Sequence, residues 1–359
     1  MRHLFLLFLI SSSLFGKKVD LYADWLHTDL SQASKNEVPV LLKHIWEITD
    51  NHHQDLELKD LQKEKKYLKK IKPYSMRAFR AYFKEPKKNP EINDTLCKVF
   101  FNVHNCFKNL DFTRYPEEKM ILFLWEPPTV TEHCYNKEFL SQFGRVYTWD
   151  DDLVDNQRFF KFYYPELQEP VTEYPSFKQK KLCTCICSRL DSTYEHQLYT
   201  ERENAIRFFD RYPQDFDFYG RNWAKRNYQT YKGTIPNKKE VMKNYRFSIC
   251  YENTQNIRGY VTEKIFDSFA SMCVPVYLGA SNITDYVPKE CFIDKRDFSS
   301  YEELYAFLKG MTEEEYQNYL DAIQVFLKSD NARKFSFENF AKTFSEALEF
   351  AENSPSSPY

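Results

Sequence analysis

Glycine is nearly missing from this chain, with 7 in 359 residues. That scarcity excludes collagen-like and glycine-rich architectures. Neither G-x-G-x-x-G nor G-x-x-x-x-G-K-[ST] occurs, so any phosphate chemistry must rest on side-chain cations and a helix N-terminus instead of a glycine cradle. A surplus of basic charge is also lacking. The net charge is −2, and the basic runs KEKKYLKKIKPY and KEPKKNP read as solvated faces and loops. A nucleic-acid partner is therefore not expected. The nine cysteines show no zinc-ribbon spacing. A long apolar run is absent too. The N-terminal MRHLFLLFLISSSLFGKK holds only about a dozen apolar residues, short for a membrane span and right for a signal-peptide core. Signal peptide, short anchor and interfacial segment all remain open for residues 1–18, which stand outside the fold.

What the chain has in quantity is aromatic side chains, 18% of residues, with 26 Tyr and 32 Phe. With 42% hydrophobic and 28% charged residues, the composition is that of a globular protein with room for two cores. KVDLYADWL, LCKVFFNVHN, KMILFLWEPP and GRVYTWDDDLVD read as strands of a first domain, the third stopped by a double proline. The polar, proline-spaced EPVTEYPSFKQKK marks a boundary. Beyond it strands and helices alternate: KLCTCICS, YTERENAIRFFDRY, FDFYG, NKKEVMKNY, RFSICYEN, TEKIFDSFASM and CVPVYLG. That alternation predicts a βαβ sheet with helices on both faces. Three further helical stretches follow, and NSPSSPY ends the chain. Cys183, Cys185 and Cys187 alternate in LCTCICS and read as one face of a buried strand.

The richest stretch is YENTQNIRGYVTEKIFDS, residues 251–268. Thr262 suits an N-cap, Glu263 suits the first turn, and Ile265, Phe266, Phe269 and Met272 suit a core face. A capped amphipathic helix explains where the helix starts. It does not explain Lys264, a cation placed where the helix dipole disfavours one. A lysine fits there if an anion sits over the helix N-terminus. Ligands of open α/β sheets bind outside the carboxyl ends of strands, where this loop lies. Glu263 could then accept from ribose hydroxyls, with the ring of Tyr260 beside it.

The blocks YEN, YVTEK and VPVYLG, in that order between Arg246 and Gly279, resemble the donor-binding motif of the α-1,3-fucosyltransferases, glycosyltransferase family 10. The resemblance extends weakly through IPNKKEVMKNYRF and YVPKECFIDKRDFSSYEEL. It implies the GT-B architecture, an α/β fold of two Rossmann-like domains facing across a cleft. It also implies inverting transfer of L-fucose from GDP-β-L-fucose to a glycan hydroxyl, α-1,3 to N-acetylglucosamine or glucose. Carried onto matching positions, Lys264 contacts the pyrophosphate, Glu263 the ribose, and Tyr260 lies against the nucleotide. Asn253 and Ser188 fall at donor-side positions. A helical arginine before the strand ending in glycine binds phosphate in the family. Arg202 fits that place and Arg207 is the alternative. The family's base is a glutamate before proline at a strand end, which selects Glu126 in LFLWEPPTV. Here Pro127 stands where the family has serine.

Asp150, Asp151 and Asp152 tempt a metal reading but are read as an acidic turn, because lysine and arginine already balance the phosphates. No cofactor or bound metal is expected, Mn²⁺ at most stimulating. Arg189 is left between a phosphate contact and the rim, and the sequons at Asn93 and Asn282 decide nothing. The expected division is 1–18 leader or anchor, 19–175 acceptor side, 176–330 donor side, and 331–359 terminal helix and tail. The partners expected are a sugar nucleotide and a glycan. Membrane association is expected through the N-terminus, in a Golgi lumen if the source is eukaryotic and on the cytoplasmic face if bacterial. Two rivals stay open: a GT-B enzyme for another sugar nucleotide, and a catalytically dead carbohydrate-binding protein of the same fold.

Overall fold

A computed structural model of the protein describes residues 18–23, 28–29, 72–73, 95–102 and 116–354. The expected leader or anchor at 1–18 lies almost wholly outside these residues, as do the two lysine-rich runs apart from Lys72 and Pro73, and Asn93 of the first sequon. Two five-stranded parallel sheets dominate. The first runs in chain order: Lys18–Ala23 (β1), Thr95–Phe101 (β2), Met120–Leu124 (β3), Arg145–Thr148 (β4) and Phe159–Lys161 (β5). The second is built from Lys181–Ile186 (β6), Phe216–Tyr219 (β7), Tyr245–Tyr251 (β8), Val274–Leu278 (β9) and Ile293–Asp294 (β10). Its spatial order is β10-β9-β8-β6-β7, every pair parallel. The proline-spaced stretch falls between β5 and β6.

Parallel strands covered on both faces need continuous apolar runs, not alternation. β3, MILFL, and β9, VPVYL, are buried at every residue. Helices Tyr199–Phe209 (α1), Lys238–Met242 (α2) and Glu263–Ala270 (α3) connect the strands of the second sheet, followed by Tyr301–Gly310 (α4) and Glu313–Leu327 (α5). Met272 is in the core as expected, but it lies past the end of α3 with φ 49°, in the left-handed turn that stops the helix.

Aromatic side chains fill both cores, and in the first domain they stack in order across the sheet. Phe101, Phe123 and Tyr147 stack in a row across β2, β3 and β4, with centroids 4.9 and 4.7 Å apart. The last helix, Phe337–Asn353 (α6), closes that core from the far end of the chain. Its Phe340, Phe344, Ala347, Leu348 and Ala351 join the same cluster, and Phe344 stacks on Phe101 and Phe123 at 6.1 and 5.7 Å. The terminal segment is therefore packed as part of the first domain.

Candidate active site

In the second sheet the chain leaves β6 to one side for β7, then returns to the other side of β6 for β8. The carboxyl ends of β6 and β8 thus flank the point where strand order reverses, the place where open α/β sheets bind ligands. A cavity of about 30 Å³, room for about two waters, lies there. Its walls include Cys187, Arg202, Lys238, Ser248, Lys264 and Asp267.

Arg202 sits in the first turn of α1 and is 5% exposed. Its Nε and Nη2 donate to the carbonyl of Tyr251 at 3.0 and 2.8 Å, and Nη2 donates to Asn253 Oδ1 at 2.8 Å. Among the described residues no carboxylate forms an ion pair with it. A buried guanidinium held only by neutral acceptors is an incompletely compensated charge, and an anion in the cavity would complete it. Arg207 points the other way, exposed and 3.6 Å from Glu203.

At the start of α3, Thr262 is the N-cap residue, but its side chain does not cap the helix. Its hydroxyl donates to Glu252 Oε2 at 2.6 Å and its amide to Glu252 Oε1 at 2.9 Å. Glu252 has no exposed surface and would be a costly buried charge without these bonds and Lys264 Nζ at 3.3 Å. Lys264 also reaches Glu263 Oε1 at 3.0 Å. Burial opposes the charge on Lys264, yet Glu263 and Glu252 outweigh it and hold its pKa above the ordinary lysine value. For Glu263, burial works upward while Lys264 and Lys238 pull the carboxyl far below the usual range. The lysine in the first turn is thus fixed by two carboxylates on its own loop, leaving its tip at the cavity.

Across the cleft, Glu126 follows β3 and is half-buried. The peptide around it is clamped on both sides. Asn102 Oδ1, on a residue with φ 56° at the end of β2, accepts from the amides of Trp125 and Glu126 at 2.7 and 2.8 Å. Tyr135 donates to the Glu126 carbonyl at 2.8 Å, while Trp149 Nε1 and the Tyr164 hydroxyl donate to the Trp125 carbonyl, the former at 3.2 Å. Pro127 opens the short helix Pro128–Thr131. Tyr199 of α1 is buried. Burial raises its pKa first; Arg202 and Lys264 act to lower it and Glu126 to raise it.

Residues 176–345 match the profile of "Glycosyltransferase family 10 (fucosyltransferase) C-term". The match covers a little under half of the chain and makes its second domain similar to the C-terminal part of glycosyltransferase family 10. The chain is similar to an α-(1,3)-fucosyltransferase of Helicobacter pylori, 40% identical over 76 residues, 21% of this chain and 16% of that one. It is also similar to a 4-galactosyl-N-acetylglucosaminide 3-α-L-fucosyltransferase of Mus musculus, 26% identical over 243 residues, 60% of this chain and 62% of that one. The chain thus spans less than two thirds of these curated relatives. A solved α1,3-fucosyltransferase covers 96% of this chain and 94% of its own, with TM-score 0.50 and 16% identity. The likeness shows the GT-B fold.

The other expected residues take distinct places. Asn253 is in the site, as the acceptor for Arg202. Ser188 is half-buried just beyond β6, where Gly220, φ 142°, lets the end of β7 pass; a Cβ there would meet the Cys187 carbonyl at 1.9 Å. Arg189 is on the rim, paired with Asp191 at 2.8 Å. Tyr260 does not offer an open ring face. It is 2% exposed and packs on Trp149 with centroids 4.5 Å apart.

The three aspartates lie in a turn as expected, with the Leu153 amide donating to the Asp150 carbonyl at 3.2 Å and the Asp152 amide to Asp150 Oδ1 at 3.0 Å, but Asp151 also reaches beyond it. Asp151 accepts from Lys161 Nζ at 2.6 Å, from the Tyr286 hydroxyl and from Asn282 Nδ2 at 2.9 Å, latching the second domain to the first. Gly259, φ 83°, permits the neighbouring crossing, since a Cβ would lie 2.3 Å from the Trp149 carbonyl. Asp150 is pushed up to about 6, chiefly by burial. The Asn282 sequon carries an amide already used in the latch. Four residues were given no role from the sequence, Asn102, Lys238, Glu252 and Asp267, and Cys187 was read only as part of a buried strand face. Lys238 Nζ lies 2.6 Å from Asp267 Oδ2 on the cavity wall. Its place in NKKE, at the start of the helix leading to β8, was the available signal.

Proposed function

We propose that this protein transfers L-fucose from GDP-β-L-fucose to a glycan hydroxyl with inversion, forming an α-1,3 link to N-acetylglucosamine or glucose. The observation that carries the reading is the pair of cations, buried Arg202 and partly buried Lys264, on the wall of one cavity at the sheet's reversal point. The diphosphate would complete the charge of Arg202 and of the Lys264 tip, and Glu263 would take the ribose hydroxyls. As the bond from fucose C1 to the β-phosphate oxygen breaks, both cations would stabilise the charge gathering on GDP. Glu126, its backbone held at N and O, would take the acceptor hydroxyl's proton as that oxygen attacks C1. Beside its proline turn a cavity of about 580 Å³ spans both domains, lined by Thr129, Glu132, His133, Asp191 and Ser192 among others. Hydroxyls and carboxylates in that setting suit a saccharide acceptor. Titratable side chains and fixed cations suffice for these steps, and Mn²⁺ would act, if at all, as a stimulant. We place the protein at a membrane through residues 1–18, in the Golgi lumen of a eukaryote or on the cytoplasmic face of a bacterium.

The test is transfer from radiolabelled GDP-fucose to N-acetyllactosamine by the full-length protein and by Glu126→Gln. Transfer by the first, lost in the second with GDP binding retained, supports the reading. Glycan binding without transfer by either would make it a carbohydrate-binding protein. Transfer from a different sugar nucleotide would reassign the donor.

A further inference from the structure

The described cysteines divide sharply. Seven of the eight are buried, and Cys187 alone is partly exposed. It was expected on a buried strand face, but β6 ends at Ile186 and Cys187 lies one residue beyond, on the wall of the cavity shared by Arg202 and Lys264. Its backbone is pinned: the amide donates to the Tyr219 carbonyl at 3.0 Å, and its own carbonyl accepts from Trp223 Nε1 at 2.7 Å. The sulfur is thereby held at the cavity, 3.6 Å from Cys185 Sγ.

We infer that Cys187 is a thiol-modification site inside the donor cavity, open to small thiolating electrophiles, and that its modification and nucleotide binding exclude each other. The inference rests on the donor reading above. Its chemical basis is that a thiolate is the reacting species and that nearby cations stabilise it. The neighbouring Cys185 thiol, then Arg202 and Lys264, shift the Cys187 pKa downward against burial. Cys185 and Cys250 also line the cavity but are buried, and their thiols are pushed up, Cys185 by its bond to Cys187 and then burial, Cys250 by burial; burial also holds Cys273 and Cys291 up to about 12. With methyl methanethiosulfonate, Cys187 Sγ loses its proton to solvent and bonds to the methylthio sulfur. The sulfur–sulfonyl bond breaks, and methanesulfinate leaves with the electron pair. A methylthio group then occupies the space a phosphate would need.

The experiment treats full-length protein with limiting reagent, maps the modified cysteine by mass spectrometry, and follows GDP affinity by calorimetry. Cys187 should react first among the described cysteines, and saturating GDP should slow that reaction at least tenfold. Modified protein should bind GDP at least tenfold more weakly and recover with dithiothreitol. In Cys187→Ser the GDP affinity, whatever its starting value, should not move with reagent. Reaction at the buried cysteines with Cys187 intact, or unchanged GDP binding after full modification of Cys187, would overturn the inference. If untreated protein binds no GDP, the donor reading fails. Selective reaction at Cys187 slowed by inorganic pyrophosphate would then still support the thiol site, and its absence would overturn that too.

Discussion

The proposed donor and acceptor sides of the cleft hold their charges by opposite means. On the donor side, charges hold charges: Glu252 and Glu263 fix Lys264, and Asp267 fixes Lys238. On the acceptor side the carboxylate's position is set through its backbone, by Asn102, Tyr135, Trp149 and Tyr164 acting on residues 125 and 126. Removing a donor-side charge therefore leaves a buried partner exposed to its desolvation cost, whereas neutralising Glu126 leaves its scaffold intact. The donor side should couple binding to stability, and the acceptor side should separate chemistry from both.

The sharpest way to break that contrast is Glu126→Gln. The proposed base role predicts a fall in kcat of about 10²–10⁴-fold, with GDP affinity and urea midpoint unchanged. A matching loss of stability would erase the distinction. Lys264→Ala comes next. It strands fully buried Glu252, so chemical denaturation should show a loss of about 3–5 kcal/mol, together with loss of GDP binding. Lys238→Met should weaken GDP by roughly tenfold, about 1.4 kcal/mol, and should cost some stability because Asp267 loses its partner at 2.6 Å.

The smallest effect belongs to the latch between the domains. Burial works to raise the Asp151 pKa, but hydrogen bonds from Lys161, Tyr286 and Asn282 lower it overall. A carboxyl depressed in the fold stabilises above its unfolded pKa and loses that contribution as pH falls through the folded value. Asp151→Asn should therefore cost about 1 kcal/mol at neutral pH, and the difference from wild type should shrink below about pH 4. Thermal melts across that range would read it.

What could be read beforehand follows from how local each interaction is. Glu263 and Lys264 are adjacent in sequence, and their misfit with the helix dipole was visible there. The role of Glu252 was not, because it depends on the fold bringing residue 252 onto the amide of residue 262. Thr262 was correctly placed at the helix start for a reason the structure replaces, its hydroxyl serving Glu252 and not the helix. Periodicity marked the apolar face of α6, but only the tertiary fold shows that this face covers Phe101 and Phe123. The clamp on Glu126 joins residues 102, 126, 135, 149 and 164, separations no local pattern encodes. Arg202 could be chosen over Arg207 only through the family resemblance. Burial and the contact with Tyr251 now supply the physical reason.

The central claim is that Arg202 and Lys264 form a diphosphate site at the reversal point of the second sheet. Calorimetric titration of GDP into wild type, Arg202→Lys and Lys264→Arg tests it most directly. These variants keep the charge while changing its reach, so folding is expected to survive, as circular dichroism would verify. The account predicts micromolar binding by wild type and at least tenfold weaker binding by each variant. Equal GDP affinity in all three folded proteins would contradict it.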